Sequence, residues 1–248
     1  LPDSRPTADG SFQPIFQGEG HVPGDGRAGW FAATALVAAV GLALELVLSA
    51  TAGGGRFTTP AGRIVNTLCY FTIQSNIIVA VTSLLLALRP GRSGAPFRAL
   101  RLDGVLAIVV TGVVYHLVLA GLSDLQGARA VGSFLLHTAS PVLCVAGWLL
   151  FGPRGAVTAR VVALSLVWPL AWVALTLARG PFVGFYPYPF VDVAGLGYPR
   201  VLANTALVAA FFLVLAGLAA LFDRWRARRE VPVSAESKSP ALRGGPDR

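Results

Sequence analysis

Residues 69–88 read CYFTIQSNIIVAVTSLLLAL, a run without one charged side chain, whose polar groups are hydroxyls, amides and a thiol. As a helix it rises about 30 Å, enough to cross the hydrocarbon core of a bilayer, and it satisfies its own backbone hydrogen bonds on the way. Comparable apolar runs recur, and the full set covers residues 29–50, 64–88, 102–122, 132–152, 157–179 and 200–222. The chain has 248 residues, 54% of them hydrophobic and only 13% charged, and its mean hydropathy is +0.66. Those values exclude an ordinary soluble domain. They predict an all-α polytopic membrane protein, one bundle of six transmembrane helices over residues 29–222.

In a soluble chain a net charge of +8 would suggest a nucleic-acid partner. Here the arginines sort by side of the membrane. Arg27, Arg89, Arg92, Arg98, Arg101, Arg154, Arg160, Arg224, Arg226, Arg228 and Arg229 fall on one side, and Arg56, Arg63, Arg129, Arg179 and Arg200 on the other, eleven against five. The positive-inside rule then predicts a multi-pass protein with both termini cytoplasmic. The segment DRWRARR at 223–229 reads as an anchor at anionic headgroups, with membrane lipids as the partner and no nucleic acid. Residues 1–28 and the basic tail 223–248 lack apolar periodicity and are expected to be disordered. The run beginning near Trp30 reads as a retained first helix, because no credible cleavage site follows it. Cys69 and Cys144 lie inside helices at different depths and read as packing residues without a disulfide.

Polar side chains are costly in hydrocarbon, so several of them at one depth read as a built site. Counting at 1.5 Å per residue places Glu45, Thr72, His116, His137 and Asn204 roughly 6–12 Å below the outer interface, with Asn76 one turn deeper. Thr72, Ser75 and Asn76, with Cys69 one turn earlier, share a helix face. His137, Ser140, Pro141 and Cys144 form a second stripe, loosened at Pro141. A hydroxyl becomes a nucleophile when an imidazole about 3 Å away takes its proton, and Thr72 with His137 offers that pair. Asn76, Gln74 or Asn204 would supply an oxyanion donor.

Each residue also has a structural reading. A membrane threonine commonly bonds its own backbone one turn back, and an intramembrane Asn commonly joins helices. His116 orients a neighbour or bonds structurally, and Glu45 is either protonated or paired with a cation.

The run at 69–88, TGVVYHLVLAGL at 111–122, LLHTASPVLCVAGWLLFGPR at 135–154 and YPYPFVDV at 186–193 together resemble the bacterial Pr-six-Pr membrane proteins and, more distantly, the eukaryotic androgen-induced-gene family. The likeness extends over all six helices. HTASP at 137–141 is similar to that family's His-Thr segment running into a Pro-containing helix. YPFVD at 188–192 is similar to its Tyr-Pro-Phe-Leu-acid loop. The residues after Thr72 depart from the family pattern. Members of the eukaryotic family are intramembrane threonine hydrolases that cleave fatty acid esters of hydroxy fatty acids. The resemblance implies a Thr72 nucleophile, a His137 base, a hydrophobic ester as substrate, no cofactor and a place in the bacterial plasma membrane, and it assigns no role to His116 or Glu45.

The aromatics of the loop at 180–199 suit an interfacial anchor or a roof over the site, with Asp192 as the carboxylate that would orient an imidazole. Two rival readings accompany the hydrolase. In one, His116, His137 and Glu45 or Asp192 hold a zinc ion that activates water. In the other, a transporter or lipid-binding protein uses the same polar residues without making bonds.

Overall fold

The computed structural model describes residues 24–229 apart from 123 and 153. Its first helix, α1 (Gly24–Thr51), is followed by α2 (Pro60–Leu68), α3 (Phe71–Leu88) and α4 (Ala95–Val114). The chain continues through α5 (Ala128–Phe134), α6 (Ser140–Phe151), α7 (Ala159–Ser165), α8 (Val167–Val183) and α9 (Val193–Arg229). Wide π turns at Tyr115–Leu119 and Leu135–Ala139 extend α4 and join α5 to α6. Among the described residues six segments are long and apolar enough to cross a membrane: Gly26–Thr51, Phe71–Leu88, Ala95–Leu122, Ala128–Phe151, Ala159–Val183 and Val193–Arg229. No strand occurs among the described residues.

Burial explains why so apolar a chain forms a bundle. α4 runs through the middle, and its Leu102, Val105, Leu106, Ala107, Ile108 and Val110 are all buried. One face packs on α3, and the others meet α6, α7 and α9. Trp148, Val161, Phe212 and Ala216 complete that core. The outward faces are equally apolar: Leu36, Val47, Val81, Leu84, Val142, Leu170, Leu207 and Leu218 are exposed. In water such a belt would drive association, whereas lipid is its natural solvent.

The ends of the helices are closed by side chains. Thr59 and Thr158 cap α2 and α7, each hydroxyl accepting a backbone N–H three residues on, from Gly62 and Val161. The Arg63 guanidinium donates to the carbonyls of Ser49 and Ala50 at the end of α1 and to those of Phe57 and Thr58 in the loop that follows. At the other end of the bundle, the buried Asp223 accepts the Val157 N–H at 2.9 Å and fastens the α6–α7 loop to α9.

Two segments differ from the sequence expectation. The run 64–88 is not one helix: it breaks at Cys69–Tyr70, where Tyr70 is extended (φ −72°, ψ 138°). The break is tolerated because side-chain donors meet the freed carbonyls, Trp172 Nε1 from another span at Cys69 O (2.9 Å) and the nearby Gln74 Nε2 at Leu68 O (3.0 Å). Cys69 is thereby detached from the stripe of Thr72, Ser75 and Asn76. The loop expected at 180–199 is shorter, because α8 runs on to Val183 and α9 starts at Val193 with an interruption at Gly197 (φ 73°) before Pro199. Helix also takes in residues 24–28 and 223–229 at the margins of the expected terminal segments; the rest of those segments, 1–23 and 230–248, lies outside the described residues.

Candidate functional site

The break at Tyr70 makes Phe71 and Thr72 the first residues of a membrane-crossing helix, so their amides have no partner within it. Thr72 is buried, and its backbone N–H donates to the Tyr188 hydroxyl at 3.1 Å. Its own hydroxyl lies 3.2 Å from the Tyr188 oxygen and 3.4 Å from His137 Nε2. A threonine one turn deeper in a helix would bond its own backbone; this one is aimed at an imidazole.

His137 sits in the π turn at Leu135–Ala139. Pro141 carries no N–H for the His137 carbonyl, and the turn widens so that Ser140 N–H reaches back to Leu135 O. The freed carbonyl faces Gly112 of α4, where an added Cβ would stand 3.2 Å from it and 3.5 Å from the Pro141 ring. The imidazole stacks on Tyr115, ring centroids 3.9 Å apart and planes at 17°. Its Nδ1 lies 3.0 Å from Ser133 O. A carbonyl only accepts, so Nδ1 carries the proton and Nε2 presents its lone pair to Thr72. The Ser133 hydroxyl, 3.2 Å from the same nitrogen, donates to the Tyr115 hydroxyl at 2.7 Å. Ring plane, tautomer and direction are all fixed.

Two cavities meet at this pair. One, of about 480 Å³, is the more polar of the two and opens at the end of the bundle between Glu45, Arg56, Arg63, Arg129, His137 and Tyr188. The other, of about 210 Å³, is apolar and runs between α4, α8 and α9 past Val114, Trp172, Phe190 and Phe212. Thr72, Leu119 and Tyr188 line both. A group bound at the Thr72 hydroxyl therefore has a wet side and a dry side.

No protein-family model, curated protein or solved structure matches this chain.

That geometry separates the expected residues. Thr72 and His137 come together, and Glu45 joins them in the polar cavity wall, its carboxylate beside Gly132 with the charge of Arg129 acting on it. Asn76 does not serve as an oxyanion donor: its amide gives one hydrogen to Thr72 O (2.9 Å) and the other to Leu136 O (3.1 Å), tying α3 to the His137 turn. Gln74 points back to Leu68 and accepts Trp168 Nε1. His116 is exposed on the flank of the bundle, bonded to Thr138 Oγ1 at 3.0 Å, and lines neither cavity. Asn204 donates to Phe190 O at 2.9 Å. Asp192 orients no imidazole, since its carboxylate accepts the N–H groups of Ala194 and Gly195 and caps α9. The zinc set therefore does not assemble, and no group of three His, Cys, Asp or Glu side chains suited to a metal ion forms among the described residues.

Three residues at the site escaped the sequence argument. Ser133 and Tyr115 hold the imidazole, and their only signal is spacing: Ser133 lies one turn before His137, and Tyr115 lies in the neighbouring span at similar depth. Tyr188 reads as an interfacial aromatic, yet it is 8% exposed and reaches down to the start of α3.

Proposed function

We propose that this chain is an intramembrane hydrolase of lipid-like esters, with Thr72 as nucleophile and His137 as its base. The observation that carries the reading is the Thr72 hydroxyl facing the unprotonated nitrogen of a tautomer-fixed imidazole at 3.4 Å, at the meeting point of an apolar and a polar cavity. Nucleophile and base commonly stand slightly apart before substrate is seated. Thr72 Oγ1 attacks the ester carbonyl as its proton passes to Nε2, and collapse of the tetrahedral adduct expels the alcohol, which takes that proton. Water, deprotonated by the same nitrogen, then releases the acid and restores Thr72. The acyl chain lies in the apolar cavity, and the rest of the substrate faces the polar one. This assignment agrees with the resemblance to the Pr-six-Pr and androgen-induced-gene families, and we propose kinship with them. We further propose plasma-membrane insertion with the arginine-rich end inside, which puts the polar cavity at the outer leaflet.

Labelling of the detergent-solubilised protein with a long-chain alkyl fluorophosphonate tests the reading. The wild type is expected to be labelled, faster than by a short-chain analogue, and Thr72→Ala to remain unlabelled. A folded wild type that resists the reagent, or a Thr72→Ala variant labelled equally well, overturns the hydrolase and leaves binding or transport.

A further inference from the structure

Tyr188 belongs to neither half of the nucleophile–base pair, yet the loop that carries it is fastened from several directions. Pro187 and Pro189 flank it, and the Val191 N–H closes a 3₁₀ turn on its carbonyl at 3.1 Å. Asn204 and Asp192 tie the following residues to α9. On the other flank Tyr186 lies flat against Gly180 of α8, where any Cβ would overlap its ring. The phenol itself is stacked on Phe190 (5.3 Å, 6°) and meets Tyr70 edge-on (5.6 Å, 83°). An interfacial anchor has no use for this much restraint, nor for a hydroxyl turned inward beneath the surface.

The hydrogen-bond directions give that hydroxyl a task. Its oxygen accepts the Thr72 N–H, at the positive end of α3. Its own proton is then free to point at Thr72 Oγ1, 3.2 Å away. We infer that Tyr188 is a further catalytic residue, donating to the Thr72 oxygen at rest and to the carbonyl oxygen as the tetrahedral adduct forms. The inference rests on the hydrolase reading. During attack the C–O bond from Thr72 forms, the carbonyl π pair moves onto oxygen, and the Tyr188 O–H bonds the resulting oxyanion without giving up its proton. The Thr72 N–H behind it polarises the phenol and strengthens that donation. Burial supports the role, raising the phenol to about 12 against a smaller lowering by its bonds to Thr72, so it stays a donor through neutral and alkaline solution.

Tyr188→Phe keeps the ring and its stacking and removes only the hydroxyl. Two reagents separate chemistry from architecture: the long-chain fluorophosphonate, whose phosphoryl oxygen needs a donor, and an alkyl sulfonate, which alkylates His137 Nε2 by displacement at saturated carbon, expels the sulfonate anion and passes through no tetrahedral oxyanion. The expected result is a fall of about 30-fold in fluorophosphonate labelling, less than the ~10² or more usual for an oxyanion donor because the released Thr72 N–H partly replaces it. His137 alkylation is expected to stay within about twofold of wild type. Unchanged fluorophosphonate labelling overturns the inference and leaves the hydrolase standing. An equal fall with both reagents makes Tyr188 a structural support. A wild type inert to the fluorophosphonate removes the hydrolase and the role of Tyr188 together.

Discussion

His137→Ala lowers the rate of acyl transfer to Thr72 by about 10³, within the range that a positioned general base contributes. The loss reflects one proton: without Nε2 at 3.4 Å the Thr72 hydroxyl has no acceptor suited to take it, because the Tyr188 oxygen already receives the Thr72 N–H. The fold is expected to survive. The imidazole is half-buried beside the polar cavity, and the tie from the Asn76 amide to the Leu136 carbonyl holds its turn when the ring's own contacts with Ser133 and Tyr115 are lost. Adding His137→Ala to Thr72→Ala is expected to cost nothing further, since a base without its nucleophile has no labelling left to support. Stopped-time labelling of the two single variants and the double variant reads both statements.

Gly112→Val lowers the same rate by about 10², although Gly112 touches no substrate-facing atom. Its Cα surface is where the widened turn of the fourth span rests on α4, and even a Cβ would approach the His137 carbonyl to 3.2 Å. The two branches of valine go beyond that distance and push the turn away, carrying Nε2 off the Thr72 hydroxyl. A displacement of about 1 Å at a reacting pair is enough for a loss of this size. Because the base is misplaced rather than removed, alkylation of His137 by the sulfonate is expected to persist in Gly112→Val. Loss of alkylation as well would mean that the turn had collapsed.

The membrane spans were legible in the sequence because they follow from composition and length, which the bilayer enforces without regard to tertiary detail. The Thr72–His137 pairing was legible for a related reason: depth along a helix is a simple count, and few polar groups occupy that depth. What stayed hidden depends on partners far away in the chain. The break at Cys69–Tyr70 depends on a donor from Trp172, in another span, beside the one from Gln74, and the run 64–88 holds no proline or glycine to announce it. Depth also says nothing of azimuth, so His116, at the right level, sits on the exposed flank. Asn204 and Asp192 lie at the right end of the bundle and spend their hydrogen bonds locally, on Phe190, Ala194 and Gly195. Asn76 was recognised as buried and polar, but which carbonyls it would meet required the packing of α3 against the fourth span. Tyr188 is the clearest case. An aromatic in a Pro-rich interfacial loop suggests an anchor, and only the extended residue at Tyr70 opens the space into which its hydroxyl descends.

The most direct test of the account is the residue that carries the phosphonyl group after wild-type protein reacts with the long-chain fluorophosphonate, located by fragmentation of the labelled peptide. The account predicts a single adduct on Thr72 Oγ1, formed about 10³ more slowly in His137→Ala. An adduct on Ser75, Ser133 or Tyr188, or an adduct on Thr72 that forms equally fast in His137→Ala, would contradict it.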